Sequence, residues 1–168
     1  MSLALSLVTL LAALGAGLVG GVFFAFSTFV MPALSRLPPD QGIAAMQSIN
    51  VAAINRWFMG ALFGTAAACV LLIVLSLLAS SEAGTGLRVG GSVLYLAGTI
   101  LVTIAFNVPR NDALASMAPA SAEAAHLWRH YLRGWTTWNH VRAASGLLAA
   151  AGLTLALLAS RACPAGEV

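Results

Sequence analysis

The chain has 168 residues, of which 60% are hydrophobic and only 8% are charged, and its mean hydropathy is +0.93. Soluble domains carry about a quarter charged residues, so this composition excludes a water-soluble globule. The net charge of +3 comes from 8 basic and 5 acidic residues, too few to form the basic surface of a nucleic-acid-binding protein. We therefore expect a membrane protein whose partner is the lipid bilayer, with no nucleic acid partner.

Long stretches without Asp, Glu, Lys or Arg divide the chain. They cover residues 1–35, 57–81, 89–109 and 143–160. A helix that crosses the hydrocarbon core needs roughly 20 apolar residues, and a segment in lipid must satisfy its backbone polar groups internally. The sequence therefore predicts a single all-α integral membrane domain over residues 1–168. This domain is a four-helix transmembrane bundle with spans at approximately 5–31, 57–79, 89–107 and 139–160.

The arginines predict the orientation of this bundle. Two long connections on the same side hold six of them: Arg36, Arg56, Arg110, Arg129, Arg133 and Arg142. The opposite side holds Arg88 and Arg161. By the positive-inside rule, the long connections of this multi-pass protein of the cell membrane are expected to face the cytoplasm, with both termini outside.

Short amphipathic helices are predicted in both long connections. Pro38-Pro39-Asp40 is typical of a helix start. A second short helix is expected from Ser121 to Arg133, ending at Gly134, and it would present aromatic residues at the membrane interface.

Small residues and prolines predict the packing and the ends of the spans. Small residues four apart allow close helix contacts in lipid, and they occur as Gly17/Gly21, Gly60/Gly64 and Gly146/Ala150. Because proline lacks an N–H group, we expect a bend or helix end near Pro32. Pro109 disfavours helical geometry at the residue before it, so the third span is predicted to stop near Asn107.

The strongest polar cluster leads directly into the fourth span, as Trp135-Thr136-Thr137-Trp138-Asn139-His140-Val141-Arg142. Asn139 and Arg142 are three residues apart and therefore share a face of a helix. Polar side chains that enter a bilayer are costly and turn inward or toward water, which indicates a site. The alternative is interfacial anchoring, in which Arg142 snorkels and the tryptophans belong to an aromatic belt.

A second polar segment, Asn107-Val108-Pro109-Arg110-Asn111-Asp112, ends the third span. By itself it is typical of a helix that stops and restarts. Since this segment and the first cluster end adjacent spans on the same side of the membrane, we expect them to meet there, together with Asn50 and Asn55 from the first connection.

A third pattern suggests a metal site as a weaker alternative. Glu123, His126 and His130 lie at positions i, i+3 and i+7 of a helix, as in the Glu-x-x-His element of di-metal bundles. Such bundles need further carboxylates, and the remaining acidic residues are Asp40, Glu82, Asp112 and Glu167. A mononuclear site that includes His140 stays open because imidazole binds zinc, copper and iron. We predict no cofactor, with metal or haem as the open alternative.

Four motifs together are similar to those of a known family. They are Phe26-Ser27 to Met31-Pro32-Ala33-Leu34, Met46-Gln47-x-x-Asn50, Asn107-x-Pro109-x-Asn111-Asp112-x-Leu114, and Trp128-x-x-Tyr131-x-x-x-Trp135-x-x-Trp138-Asn139-His140-x-Arg142. The chain resembles the anthrone oxygenase family of small four-span membrane proteins, from about residue 20 to 155. The resemblance implies an oxygenase that oxidises a small lipophilic phenolic substrate with O2 and no organic cofactor.

The implied reaction suggests roles for the two polar clusters. Removing the benzylic proton of an anthrone gives an anion that reacts with O2, and His140 is the candidate catalytic base. Arg142, Asn139 and Asn107 are the candidates that hold the oxyanion. The candidate substrate-binding residues are Asn50, Asn111, Tyr131, Trp135 and Trp138. The alternatives are a metal or haem redox protein and a non-catalytic membrane protein; a homo-oligomer is also open.

Overall fold

The computed structural model describes residues 2–78, 83–121 and 123–162. These residues form five helices and no strand: α1 (Leu3–Leu34), α2 (Pro39–Ala53), α3 (Arg56–Leu78), α4 (Thr85–Ala115) and α5 (Ala124–Ala162). All except α2 are long and apolar enough to cross a membrane. The predicted all-α, four-span architecture is therefore confirmed.

The four spanning helices form a ring in which α1 and α4 each pack against both α3 and α5. Ser160 near the end of α5 donates a hydrogen bond to the carbonyl of Ala83, so the connection between α3 and α4 lies at that end of the bundle. At the other end, Gln47 of α2 donates to the carbonyls of Leu114 and Met117. The two long connections therefore lie together at one end, as expected from the alternation of the spans.

Small residues bring α1 and α5 into backbone contact. A Cβ atom at Gly146 would lie 2.9 Å from the Cα atom of Gly20, and one at Gly17 would contact the Cβ atom of Ala150 at 3.7 Å. The Gly146/Ala150 pair thus packs as a small-residue motif should. A Cβ atom at Gly60 or Gly64 would meet nothing within 4 Å, so this predicted pair makes no close contact among the described residues.

Three π-helical segments interrupt the spans: Phe26–Val30 in α1, and Leu96–Leu101 and Thr103–Asn107 in α4. The first and third come directly before the turns that contain Pro32 and Pro109. Because the wider π turn shifts the hydrogen-bond register from i−4 to i−5, it accommodates a residue that has no N–H group to donate. The helices therefore continue through both prolines, and the predicted stop near Asn107 is wrong.

The helix that contains the fourth span is longer than predicted, because α5 is one continuous helix of 39 residues. The sequence predicted a separate short helix ending at Gly134. A Cβ atom at Gly134 would lie 2.8 Å from the Nε atom of Arg110, so the glycine makes room for a side chain of α4 and does not end the helix. At 1.5 Å per residue α5 is roughly 58 Å long, about twice the thickness of the hydrocarbon core.

The exposed face of α5 changes from polar to apolar at one point. Its exposed residues up to that point are His126, Arg129, His130, Arg133, Thr137 and His140. Beyond it they are Val141, Ala144, Leu147, Leu148, Ala151, Thr154, Leu155 and Leu158. The 20 residues from 141 to 160 span about 30 Å, which matches the hydrocarbon core. The edge of the hydrocarbon therefore lies at His140 and Val141.

A second hydrophobic core lies outside this edge, between α2 and the first turns of α5. It contains Ile43 and Met46 of α2 and Trp128, Tyr131 and Trp135 of α5. The helix α2, which begins at Pro39 as Pro38-Pro39-Asp40 predicted, thus covers the end of the bundle. We call α2 and this projecting part of α5 the cap.

The glycine contact between α1 and α5 gives a test of the packing. We expect Gly146→Ala to lower the free energy of unfolding by about 1–3 kcal/mol, because the added methyl group overpacks a backbone contact. The measurement is thermal unfolding of the detergent-purified protein. Gly64→Ala is the matched control, since its methyl group meets no neighbour within 4 Å. Equal unfolding temperatures for the two variants would contradict this packing.

Candidate functional site

Polar side chains from three spanning helices meet inside the bundle near the edge of the hydrocarbon. Arg142 of α5 is only 4% exposed. Its Nη2 atom donates to Oδ1 of Asn139 at 2.7 Å, and its Nη1 atom donates to Oγ1 of Thr103 in α4 at 3.3 Å. The three-residue spacing of Asn139 and Arg142 therefore places both side chains on the buried face of α5.

Asn139 links this pair to α1. Its Nδ2 atom donates to the carbonyl oxygen of Phe23 at 2.7 Å and to Oγ of Ser27 at 2.7 Å. Its Oδ1 atom accepts the bond from Arg142. Since both N–H groups of the amide are used, Asn139 in this arrangement orients the guanidinium and holds α1 against α5, and it has no N–H group left for a substrate.

No carboxylate in the described part of the chain balances the charge of Arg142. Its other close contacts are the faces of Phe23 and Trp135, whose ring centroids lie 4.0 Å and 4.9 Å from Cζ. The Nε atom is buried and has no hydrogen-bond partner among the described residues. The acidic residues that the structure describes, Asp40, Asp112 and Glu123, are all exposed. A buried, unpaired charge costs several kcal/mol, so the surroundings of Arg142 favour binding of an anion.

Asn107 supplies a second unsatisfied polar group. It is fully buried, and its Nδ2 atom donates to the carbonyl oxygen of Trp135 at 3.2 Å. Its Oδ1 atom has no partner within the described part of the chain. Buried polar atoms normally have partners, and such an unused acceptor is suited to a ligand that carries a hydroxyl group.

The π-helical segments carry the side chains that α1 and α4 contribute. Ser27 lies in the first segment, Thr99 in the second, and Thr103 and Asn107 in the third. Thr99 donates to the carbonyl oxygen of Arg142 at 3.4 Å. Because π turns are common at functional sites, their coincidence with all four residues supports a site at this position.

Several predicted substrate-binding residues lie together on the cap side of Arg142. Oδ1 of Asn111 accepts hydrogen bonds from the Tyr131 hydroxyl at 2.9 Å and from Nε1 of Trp135 at 2.8 Å. Asn50 of α2 lies close to the Tyr131 side chain. Tyr131 is close enough to Arg142 for the two to interact electrostatically. The structure thus brings four of the five predicted substrate-binding residues into one group.

Trp138, the fifth, has a different neighbour. Its ring stacks on Phe106 of α4 with a centroid distance of 3.6 Å and an interplanar angle of 7°. Among the described residues, no side-chain hydrogen bond or ring contact joins Trp138 to Arg142 or Asn139. Trp138 therefore contributes to the contact between α4 and α5.

The structure does not bring His140 together with Asn139 and Arg142. One residue step turns an α-helix by about 100°, so His140 leaves the buried face of α5 and is exposed. It lines an open groove with Ser35, Arg133 and Thr136. The side chain predicted to be the catalytic base is therefore on a different surface from the predicted oxyanion-binding residues.

The residues of the alternative metal site lie on the cap surface. Glu123, His126 and His130 are all exposed. In the described parts of the chain, no group of three or more His, Cys, Asp or Glu side chains is arranged to hold a metal ion.

Sequence reasoning missed Phe23, Thr99 and Thr103, and it named Ser27 only as part of a motif. Their signal is weak, because a single serine, threonine or phenylalanine is common in an apolar span. The spacing of Thr99 and Thr103, one helical turn apart in an uncharged run, is the feature that could have indicated a polar face toward the fourth span.

The fold and the buried site define a class: small four-span α-helical membrane proteins with an unpaired arginine beneath a helical cap. The family model for anthrone oxygenase matches residues 55–152. This match covers more than half of the chain, and the chain belongs to the anthrone oxygenase family. The matched range includes the motifs from Asn107 to Arg142, whereas the two motifs before residue 55 lie outside it. Comparisons with curated proteins and with solved structures gave no match.

Asn111 offers a test of how the cap is held to the site. We expect Asn111→Leu to destabilise the protein by about 1–3 kcal/mol for each buried donor that loses its acceptor, namely the Tyr131 hydroxyl and the Trp135 indole. Thermal unfolding in detergent measures this. Asp112→Leu is the matched control, because Asp112 is the exposed neighbour on the same helix. If both variants unfolded at the same temperature, the bridging role of Asn111 would be refuted.

Proposed function

We propose that the chain is a membrane oxygenase that uses O2 to oxidise a small, flat, lipophilic phenolic substrate of the anthrone class, without an organic cofactor. Membership of the anthrone oxygenase family supports the reaction class. The observation that carries the proposal is Arg142, a buried cation with a free Nε atom and no carboxylate partner among the described residues.

The chemistry of an anthrone fits these surroundings. Loss of a proton from the methylene carbon opposite the carbonyl gives an anion whose charge lies largely on the carbonyl oxygen. The guanidinium of Arg142 can hold this oxyanion, and the rings of Phe23 and Trp135 beside it can contact the aromatic substrate. Stabilising a developing oxyanion contributes about 2.7–4 kcal/mol for a well-placed donor. Arg142 would thus increase the fraction of bound substrate that is ionised.

The reaction balances without any further reductant. The substrate anion gives electrons to O2 and forms a carbon–oxygen bond, and protonation then gives a hydroperoxide. Loss of water from the hydroperoxide leaves the second carbonyl group. One anthrone and one O2 therefore give one anthraquinone and one water.

In this proposal, the proton that leaves the substrate is not transferred to a buried carboxylate or imidazole. Neither group contacts Arg142 among the described residues, and the site lies near the edge of the hydrocarbon. Because Arg142 makes the bound substrate more acidic, water at the interface can accept the proton. The unused Oδ1 atom of Asn107 would accept a hydrogen bond from a phenolic hydroxyl group of the substrate.

Replacing Arg142 separates function from stability. We expect Arg142→Gln to reduce the rate of 1,8-dihydroxyanthrone oxidation above the uncatalysed background by about 100-fold, the loss typical of one oxyanion donor. We expect its unfolding temperature to stay the same or rise, because a buried unpaired charge is removed. The measurements are O2 consumption and thermal unfolding of purified protein.

The matched control for this variant is Arg129→Gln, which removes an exposed arginine from the same helix. It is expected to keep the full rate. Equal rates for the Arg142 and Arg129 variants would refute the oxygenase role of Arg142. No rate above background in the unsubstituted protein, with O2 and substrate both present, would refute the proposed function itself.

His140 gives an independent test of the sequence-based assignment of the base. Because His140 lies on the exposed face of α5, we expect His140→Ala to keep most of the rate of anthrone oxidation. The measurement is the same oxygen-consumption assay over a range of pH values. A loss of 100-fold or more, the contribution of a general base, would indicate that His140 is the catalytic base. The substrate would then have to reach the groove that His140 lines.

A further inference from the structure

A groove on the outer surface of the bundle is separate from the buried site. It has a volume of about 450 Å³ and lies between the end of α1 and the face of α5 that adjoins the face of Asn139 and Arg142. The residues that line it are Met31, Pro32, Ser35, Leu132, Arg133, Thr136, Thr137 and His140. One part of this lining is therefore cationic and rich in hydroxyl groups, and the other part is apolar.

The groove lies across the edge of the hydrocarbon. His140 is the last exposed polar residue of α5 before the apolar surface that begins at Val141. Arg133 lies seven residues earlier, which is about 10 Å further out along the helix. A molecule in the groove would therefore have one end in the headgroup region and the other beside the hydrocarbon.

The charges in the groove have one sign. Arg133 is exposed, and its guanidinium has no hydrogen bond or ion pair among the described residues. The Ser35 and Thr137 hydroxyl groups donate to the backbone carbonyls of Pro32 and Arg133, so their oxygen lone pairs stay available. No acidic residue lines the groove. This arrangement complements an anion that also carries a hydroxyl group or other hydrogen-bond donor.

We propose that this groove is a binding site for one anionic phospholipid. Arg133 and an N–H group of His140 hold the phosphodiester, since arginine binds phosphate through paired charge-assisted hydrogen bonds. The hydroxyl groups of Ser35, Thr136 and Thr137 contact the glycerol headgroup. The acyl chains follow Met31 and Pro32 toward the apolar surface of α5 that begins at Val141. Leu132 lies on the outer side of Arg133, at the headgroup end of the groove.

The test is lipid titration of delipidated protein in a neutral detergent, followed by native mass spectrometry and thermal unfolding. The probes are phosphatidylglycerol, phosphatidylcholine and inorganic phosphate. We expect phosphatidylglycerol to bind most tightly and to raise the unfolding temperature. Arg133→Gln should weaken its binding by about tenfold or more, the scale of a charge-assisted hydrogen bond. Arg129→Gln, an exposed arginine one turn earlier that does not line the groove, should keep the affinity.

Each alternative outcome has one meaning. Equal losses for the Arg133 and Arg129 variants would indicate general attraction to a negative surface and would overturn the site. Equal affinity for phosphatidylcholine would also overturn it. If inorganic phosphate bound as tightly as the lipid, the ligand of the groove would be a free anion and not a phospholipid. Because Arg133 is exposed, its variant is expected to fold, and an unchanged unfolding temperature without lipid confirms this. None of these outcomes depends on anthrone oxidation.

Discussion

The central constraint on this structure is a guanidinium that is held inside an apolar bundle close to the edge of the hydrocarbon. Asn139 makes this possible, because one amide accepts a bond from Arg142 and donates two bonds to α1. The two bonds to Phe23 and Ser27 join the first and last spans at the level where the cap begins. The contact between these spans and the proposed oxyanion-binding group thus belong to one small network. A protein under selection for stability alone would favour an apolar residue at position 142.

Most of the architecture could be predicted from the distribution of charge. Uncharged runs of sufficient length define four spans because lipid excludes unpaired charges. The polar pairs at the ends of the third and fourth spans correctly indicated where side chains meet. The three-residue spacing of Asn139 and Arg142 predicts their common face, whereas Asn107 and Asn111 are predicted site residues because they belong to the polar segment that follows the third uncharged run.

What sequence reasoning could not supply depends on backbone geometry. Local rules for proline predicted an end for the third span, but a π turn ahead of Pro109 absorbs the missing donor, and such turns have no sequence signature here. The sequence predicts a helix end at Gly134, whereas in the structure this glycine leaves space for the side chain of Arg110. His140 was placed in the site because it adjoins Asn139 in sequence, although one residue step along a helix rotates a side chain away from its neighbour. The arginine count that predicts the orientation of the bundle includes Arg142, although the side chain of Arg142 is buried inside the bundle.

The packing of the cap has a consequence for how a molecule reaches Arg142. Trp128, Tyr131 and Trp135 pack between α2 and α5 on the aqueous side of Arg142. If the proposed substrate binds beside Arg142, this packing favours an approach by lateral diffusion within a leaflet, between helices, over an approach along the bundle axis. Occupancy would follow a compound's oil–water partition coefficient more closely than its dissolved concentration. Hydrophilic anions abundant in the surrounding solution would be screened out before charge recognition begins.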